Sequence, residues 1–149
     1  MVGNVEIAVR LIGAFILGTI IGLERERRQK PAGLRTHALV CLGSALFTAV
    51  GSYGLINSGL LTPATSADRI AAQIVSGVGF IGAGLIFKEQ SHVRGLTTAA
   101  SIWLTAAIGM AIAIGFYAPA LIGTAIGFLG LRLHHLLRRL GLEIGPEED

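Results

Sequence analysis

Three carboxylates lie where a cation or a proton at a membrane boundary would find oxygen ligands. Glu24 and Glu26 belong to the charged stretch ERERRQKPAGLRTH, and Asp68 directly precedes the apolar run Ile70–Phe87, which Gln73 interrupts. Hard cations take oxygen ligands, and ionisable groups at membrane depth commonly mark ion or proton paths. Asp68 equally suits a helix N-terminus, where the dipole favours negative charge. A second polar set is His37, Cys41, Ser44 and Thr48, spaced 4-3-4 on one helix face. His37 and Cys41 could hold a soft metal, but a closed structural site needs four ligands. Packing with intrahelical hydroxyl bonds is the favoured reading. Glu6 and Arg10, four apart, are read as an ion pair reaching the interface.

These residues must be positioned by membrane helices. The chain has 149 residues, of which 52% are hydrophobic and only 14% charged, and its mean hydropathy is +0.70. A soluble domain of this size could not keep so much apolar surface from water. Five segments approach spanning length: Glu6–Leu23, Thr36–Ile56, Ile70–Phe87, Leu96–Ile114 and Phe116–Leu136. The expected fold is an all-α membrane protein with five transmembrane helices, over residues 1–140. Residues 141–149 are expected to be a short flexible cytoplasmic tail, with no C-terminal soluble domain following.

The third segment is expected to be the central helix, pinched between two others. Gly77, Gly79, Gly82 and Gly84 leave little side chain on its sides, which lets neighbouring backbones approach in lipid. Gly18 and Gly22 give the first helix a G-x-x-x-G contact face. The same Gly77, Gly79 and Gly82 spell G-x-G-x-x-G, but a dinucleotide site needs a strand before that motif and a sheet around it. Thr36 is a candidate cap for the second helix. Trp103, far from the interfacial belt, is read as packed against protein. Cys41 is the only cysteine, so no internal disulfide forms.

All but two of the 12 Lys and Arg, Arg10 and Arg69, fall in the stretches that share one side of the membrane. The positive-inside rule then puts the N-terminus outside and the C-terminus in the cytoplasm. The net charge of +3 is thus a topology signal and does not point to nucleic acid. The halves also echo each other: Gly33-Leu34-x-Thr36 matches Gly95-Leu96-x-Thr98, and Gly22-Leu23 matches Gly84-Leu85. A parallel internal repeat, helices 1–2 and 3–4 with helix 5 appended, is expected, and any polar site should lie between its halves.

The ordered series Gly22-Leu23-Glu24-Arg25-Glu26, Ala32-Gly33-Leu34-Arg35-Thr36-His37, Asp68-Arg69-Ile70-Ala71-Ala72-Gln73, Gly77-x-Gly79-Phe80-x-Gly82-Ala83-Gly84 and Val93-Arg94-Gly95-Leu96-Thr97-Thr98-Ala99-Ala100 with Trp103 resembles the MgtC/SapB family. The resemblance implies a multi-pass protein of the bacterial inner membrane, linked to growth in low magnesium, to acid stress and, in pathogens, to virulence. Family members are described as modulators, including restraint of the F-type ATP synthase, rather than as demonstrated magnesium transporters. Carried onto this chain, the motif residues expected to matter are Glu24, Arg25, Glu26, Arg35, Asp68, Arg69, Gln73 and Arg94. Many members carry a soluble C-terminal domain after the last span, and this chain resembles the membrane module alone.

Two functional readings follow. The first is a non-catalytic regulator working by helix–helix contact, with the bilayer, a second copy in a homodimer and a membrane subunit of the ATP synthase as partners. The second is a small cation (magnesium) or proton transporter with Glu24, Glu26, Asp68 and Gln73 along its path. Against it, no carboxylate is expected near the midplane, and Asp68 should lie across the membrane from Glu24 and Glu26. No cofactor is expected. Magnesium is the ion to consider, with Glu24, Glu26 and Asp68 as its candidate ligands. An enzyme is the least supported class, because no base–nucleophile–orienter spacing is present.

Overall fold

The computed structural model describes residues 3–54, 63–89 and 92–139. Five α-helices account for most of them: α1 (Asn4–Arg27), α2 (Leu34–Ala49), α3 (Pro63–Ala83), α4 (Leu96–Ala113) and α5 (Tyr117–Arg139). A wider π-turn, Val50–Gly54, prolongs α2, and a short antiparallel hairpin, β1 (Phe87–Glu89) with β2 (His92–Arg94), joins α3 to α4. Among the described residues, three helical stretches are long and apolar enough to cross a membrane: Asn4–Arg27, Leu34–Tyr53 and Leu96–Ala113. The tail 141–149 and the end of the expected second span at Ile56 lie outside the described residues.

Helix boundaries follow local chemistry. Glu6 sits in the first turn of α1 and Arg25 and Arg27 in its last, each matching the helix dipole. Gln29 in a left-handed conformation (φ 55) and the following Pro31 stop the helix. Thr36 does not cap α2. The cap position is Gly33, and the first free amide, Leu34 N–H, is taken by a Glu26 carboxylate oxygen at 2.9 Å.

The third apolar run departs most from expectation. Its helix opens at Pro63, where a fixed φ suits a first turn, so Asp68 lies beyond the first turn rather than at the N-terminus. It closes at Ala83, and Gly84 and Leu85 turn the chain into the hairpin. Gly95 completes that connection with φ 87, and a Cβ there would collide with the Leu85 carbonyl.

The centre of the bundle is α4, not α3. It touches α1, α2, α3 and α5, whereas α3 leans on α4 and, more lightly, on α2 and the π-turn. Composition explains the choice. Ser101, Thr105, Ala106, Gly109 and Ala113 are all buried on α4, small enough to admit neighbours on several sides. A methyl added at Gly109 would lie 3.2 Å from Cys41 Cα. By contrast, Phe80 of α3 is 81% exposed. Trp103 is also exposed, contrary to the expectation of a packed indole; its face of α4 turns outward, away from the main core.

That core joins Ala14, Leu17 and Ile21 of α1 to Cys41 and Ala45 of α2 and to Ile108 and Ile112 of α4. A smaller cluster, Ala32, Ile74, Val78, Ile102 and Ala106, fastens α3 to α4. Gly18 and Gly22 make the α1–α2 contact close. A methyl at Gly18 would lie 2.6 Å from the His37 carbonyl oxygen, and one at Gly22 would lie 2.7 Å from Leu34 Cα.

Candidate functional site

The close α1–α2 approach brings the end of α1 against the start of α2, and charge is buried there. Glu24 and Arg25 are almost fully enclosed, at 3% and 1% exposure. Arg25 Nε donates to Glu24 Oε2 at 2.8 Å, and Arg28 Nε donates to Glu24 Oε1. One carboxylate thus serves two guanidinium groups, Arg25 enclosed with it and Arg28 partly exposed. Removing one partner from such a buried set leaves an uncompensated charge, a loss typically of about 3–5 kcal/mol.

The same corner holds His37, fully buried near the start of α2. His37 Nδ1 lies 2.9 Å from the Gly33 carbonyl oxygen and Nε2 lies 3.0 Å from Ser101 Oγ on α4. A carbonyl only accepts, so Nδ1 carries a proton. Ser101 Oγ is also 2.8 Å from the Thr98 carbonyl oxygen, giving its one proton two acceptors to choose between. A hydroxyl beside an imidazole suggests nucleophilic chemistry. Yet His37 is 0% and Ser101 3% exposed, and the second ring nitrogen faces a backbone carbonyl instead of an orienting carboxylate. The pair fastens α2 to α4.

Two polar atoms in this region have no hydrogen-bond partner among the described residues: Arg25 Nη1 and Thr98 Oγ1, both on fully buried side chains. Buried polar atoms are ordinarily satisfied.

The other sequence-derived candidates scatter. Glu26 is exposed and caps α2. Arg35 is exposed on the first turn of α2, with no ion pair among the described residues. Asp68 and Arg69 are exposed near the start of α3, whose next residue, Ile70, packs on Gly51 at the far end of α2. The intervening length of α2 is ~24 Å at helical rise, so Asp68 does not share a site with Glu24 and Glu26. Gln73 lines a groove between α2 and α3, and Arg94 stands opposite Phe87 in the hairpin. A Cβ added at Gly82 would lie 3.5 Å from Ala99 Cβ of α4, one at Gly77 or Gly79 would face open space, and one at Gly84 would meet only its own preceding turn. No group of three or more His, Cys, Asp or Glu converges among the described residues.

One polar centre escaped the sequence reading. Arg10 pairs with Glu6 as expected but is enclosed by protein rather than extended into solvent; it is 8% exposed. Its Nε donates to Tyr117 Oη at 3.1 Å, and Nη1 donates to Tyr53 Oη at 2.6 Å and to the Ala113 carbonyl at 2.8 Å; Glu6 takes Nη2. The guanidinium also lies beside both tyrosine rings, 5.6 and 5.8 Å from their centroids. Only the i,i+4 carboxylate was visible in the local pattern. The partners that bury Arg10 come from 43 and 107 residues away.

Comparison with known proteins places this architecture. No solved structure matches the chain. The Escherichia coli (strain K12) protein named "Putative magnesium transporter YhiD" is 49% identical over 89% of this chain and 62% of its own length. Protein MgtC of Brucella abortus (strain 2308) is 48% identical over 78% of the chain and 46% of its own length. Protein MgtC of Salmonella typhimurium (strain LT2) is 48% identical over 79% of the chain and 48% of its own. The chain thus spans about half to three-fifths of the length of the curated relatives it matches. The MgtC family profile matches residues 11–140, nearly the whole helical bundle with its buried Glu24–Arg25–His37 corner, and the chain belongs to the MgtC family.

Proposed function

We propose that this membrane protein is a non-catalytic regulator of the bacterial inner membrane that works through helix–helix contact. In this reading five helices cross the bilayer, with the N-terminus outside and the C-terminus cytoplasmic, and the helix pairs α1–α2 and α3–α4 form a parallel repeat. One observation carries it: the charged motif residues Glu24 and Arg25 are sealed inside the bundle, while the outer faces of α3 and α5 are apolar and uncovered. Phe80, Leu121, Ile126 and Leu129 are each more than half exposed. Such surface suits lipid or a partner helix and offers no polar path. Its partners would be a second copy and a membrane subunit of the F-type ATP synthase, and its setting low magnesium, acid stress and, in a pathogen, virulence. Photo-crosslinking from Leu121 and Leu129 in intact cells tests this; recovery of lipid alone, with no protein adduct, sinks it.

A second reading, a magnesium or proton transporter, is favoured by the name of the Escherichia coli relative. It must route an ion past the Glu24–Arg25 set. Purified protein in liposomes under a magnesium or proton gradient decides it: flux that disappears with Asp68→Asn supports transport, and no flux under either gradient ends it.

A further inference from the structure

A groove of about 610 Å³ runs along the outside of the bundle between α2 and α3. Leu39, Gly43 and Phe47 form one wall, and Gln73, Gly77 and Ile81 line the other. Its volume falls within the ~300–1,000 Å³ of small-molecule sites. The two glycines shape it: a Cβ at Gly43 or Gly77 would meet nothing within 4 Å, so the groove is open because these positions carry no side chain.

Two observations identify the occupant. The first is length. From Leu39 to Val50 the groove extends ~16 Å at helical rise, close to the ~15 Å of one leaflet in a hydrocarbon core of ~30 Å. A transmembrane helix would need twice that. The second is charge. Arg35 precedes Leu39, Gly43 and Phe47 in one i,i+4 series, so it continues their face by one turn to the end of the groove. It is exposed and has no ion pair among the described residues. A guanidinium is well shaped for a phosphate.

We propose that the groove holds one acyl chain of an anionic phospholipid whose headgroup phosphate pairs with Arg35. The site requires only that α2 and α3 lie in a bilayer, and it stands or falls separately from the regulator and transporter readings.

Native mass spectrometry of the purified protein, with phosphatidylglycerol or phosphatidylethanolamine supplied in equal amounts, reads the site directly. The wild-type protein should keep one phosphatidylglycerol, roughly five-fold in preference to phosphatidylethanolamine, as one surface arginine implies. Gly43→Leu with Gly77→Leu should fill the groove and release the lipid without lowering the melting temperature. Arg35→Gln, a change at an exposed position, should keep bound lipid but lose the preference between headgroups. The proposal is overturned if the wild-type protein retains no lipid, if the double variant retains it unchanged, or if Arg35→Gln discriminates as before. A wild-type dimer that the double variant dissociates would place a second copy in the groove instead, and also overturns it.

Discussion

The α1–α2 pair and the α3 edge use the same residue for opposite ends. In α1, Gly18 and Gly22 bring the helix so close to α2 that an added methyl would meet its backbone. In α3, Gly77 and Gly79 meet nothing within 4 Å. The first pair joins two elements and shuts water and lipid away from Glu24 and Arg25. The second leaves space. A glycine series in a membrane helix therefore does not identify a buried helix; what faces it decides whether the bare position becomes a contact or a groove.

Four substitutions probe that contrast. Glu24→Ala should have the largest effect, leaving the Arg25 guanidinium without its carboxylate inside the closed region, at about 3–5 kcal/mol. Detergent thermal melts should show it as a steep loss of folded protein, and unchanged melting would mean the corner is wetter than its burial indicates. Gly22→Ala should cost about 1–3 kcal/mol, since the overpacked methyl faces backbone that cannot rotate aside. Tyr53→Phe should lose about 1.5–3 kcal/mol, the worth of a hydrogen bond to a charged group, and Tyr53→Leu, which also removes the ring beside the guanidinium, is the control that separates the phenol from the ring. Gly79→Ala should be the mildest change and of opposite sign, a gain of up to about 1 kcal/mol from helix propensity. If Gly79→Ala and Gly22→Ala shifted the melt equally, the distinction between the two regions would collapse.

Much of this was readable in advance, for definite reasons. The three helices with spanning character carry long apolar stretches, and Gly18 and Gly22 sit at helix-contact spacing on one of them. Charge density in ERERRQKPAGLRTH located the polar corner, because few forces put carboxylates among arginines at the end of an apolar helix. The departures share a cause: each depends on something distant in the chain. The end of α3 at Ala83 is set by the hairpin pairing of Phe87 with Arg94, which hydropathy alone cannot see. Burial of Arg10 needs Tyr53 and Tyr117, and Glu6 beside it offered a complete local explanation that was only partly right. Exposure of Trp103 follows from which faces of α4 its neighbours occupy. The scatter of Glu26, Asp68 and Arg94 shows the same limit, since motif residues adjacent in a pattern need not be adjacent in space.

The Arg10 clamp carries a consequence for biosynthesis. Its last ligands, the Ala113 carbonyl and the Tyr117 hydroxyl, flank the turn between α4 and α5 and emerge more than a hundred residues after Arg10 itself. Until that turn arrives, a cation near the start of the first helix has only Glu6 and Tyr53 for company. Gly115, left-handed at φ 86 with the guanidinium 3.1 Å from where its side chain would begin, makes room for the closure. A chain halted before α5 would thus lack the Tyr117 hydroxyl and hold an under-coordinated charge within its bundle.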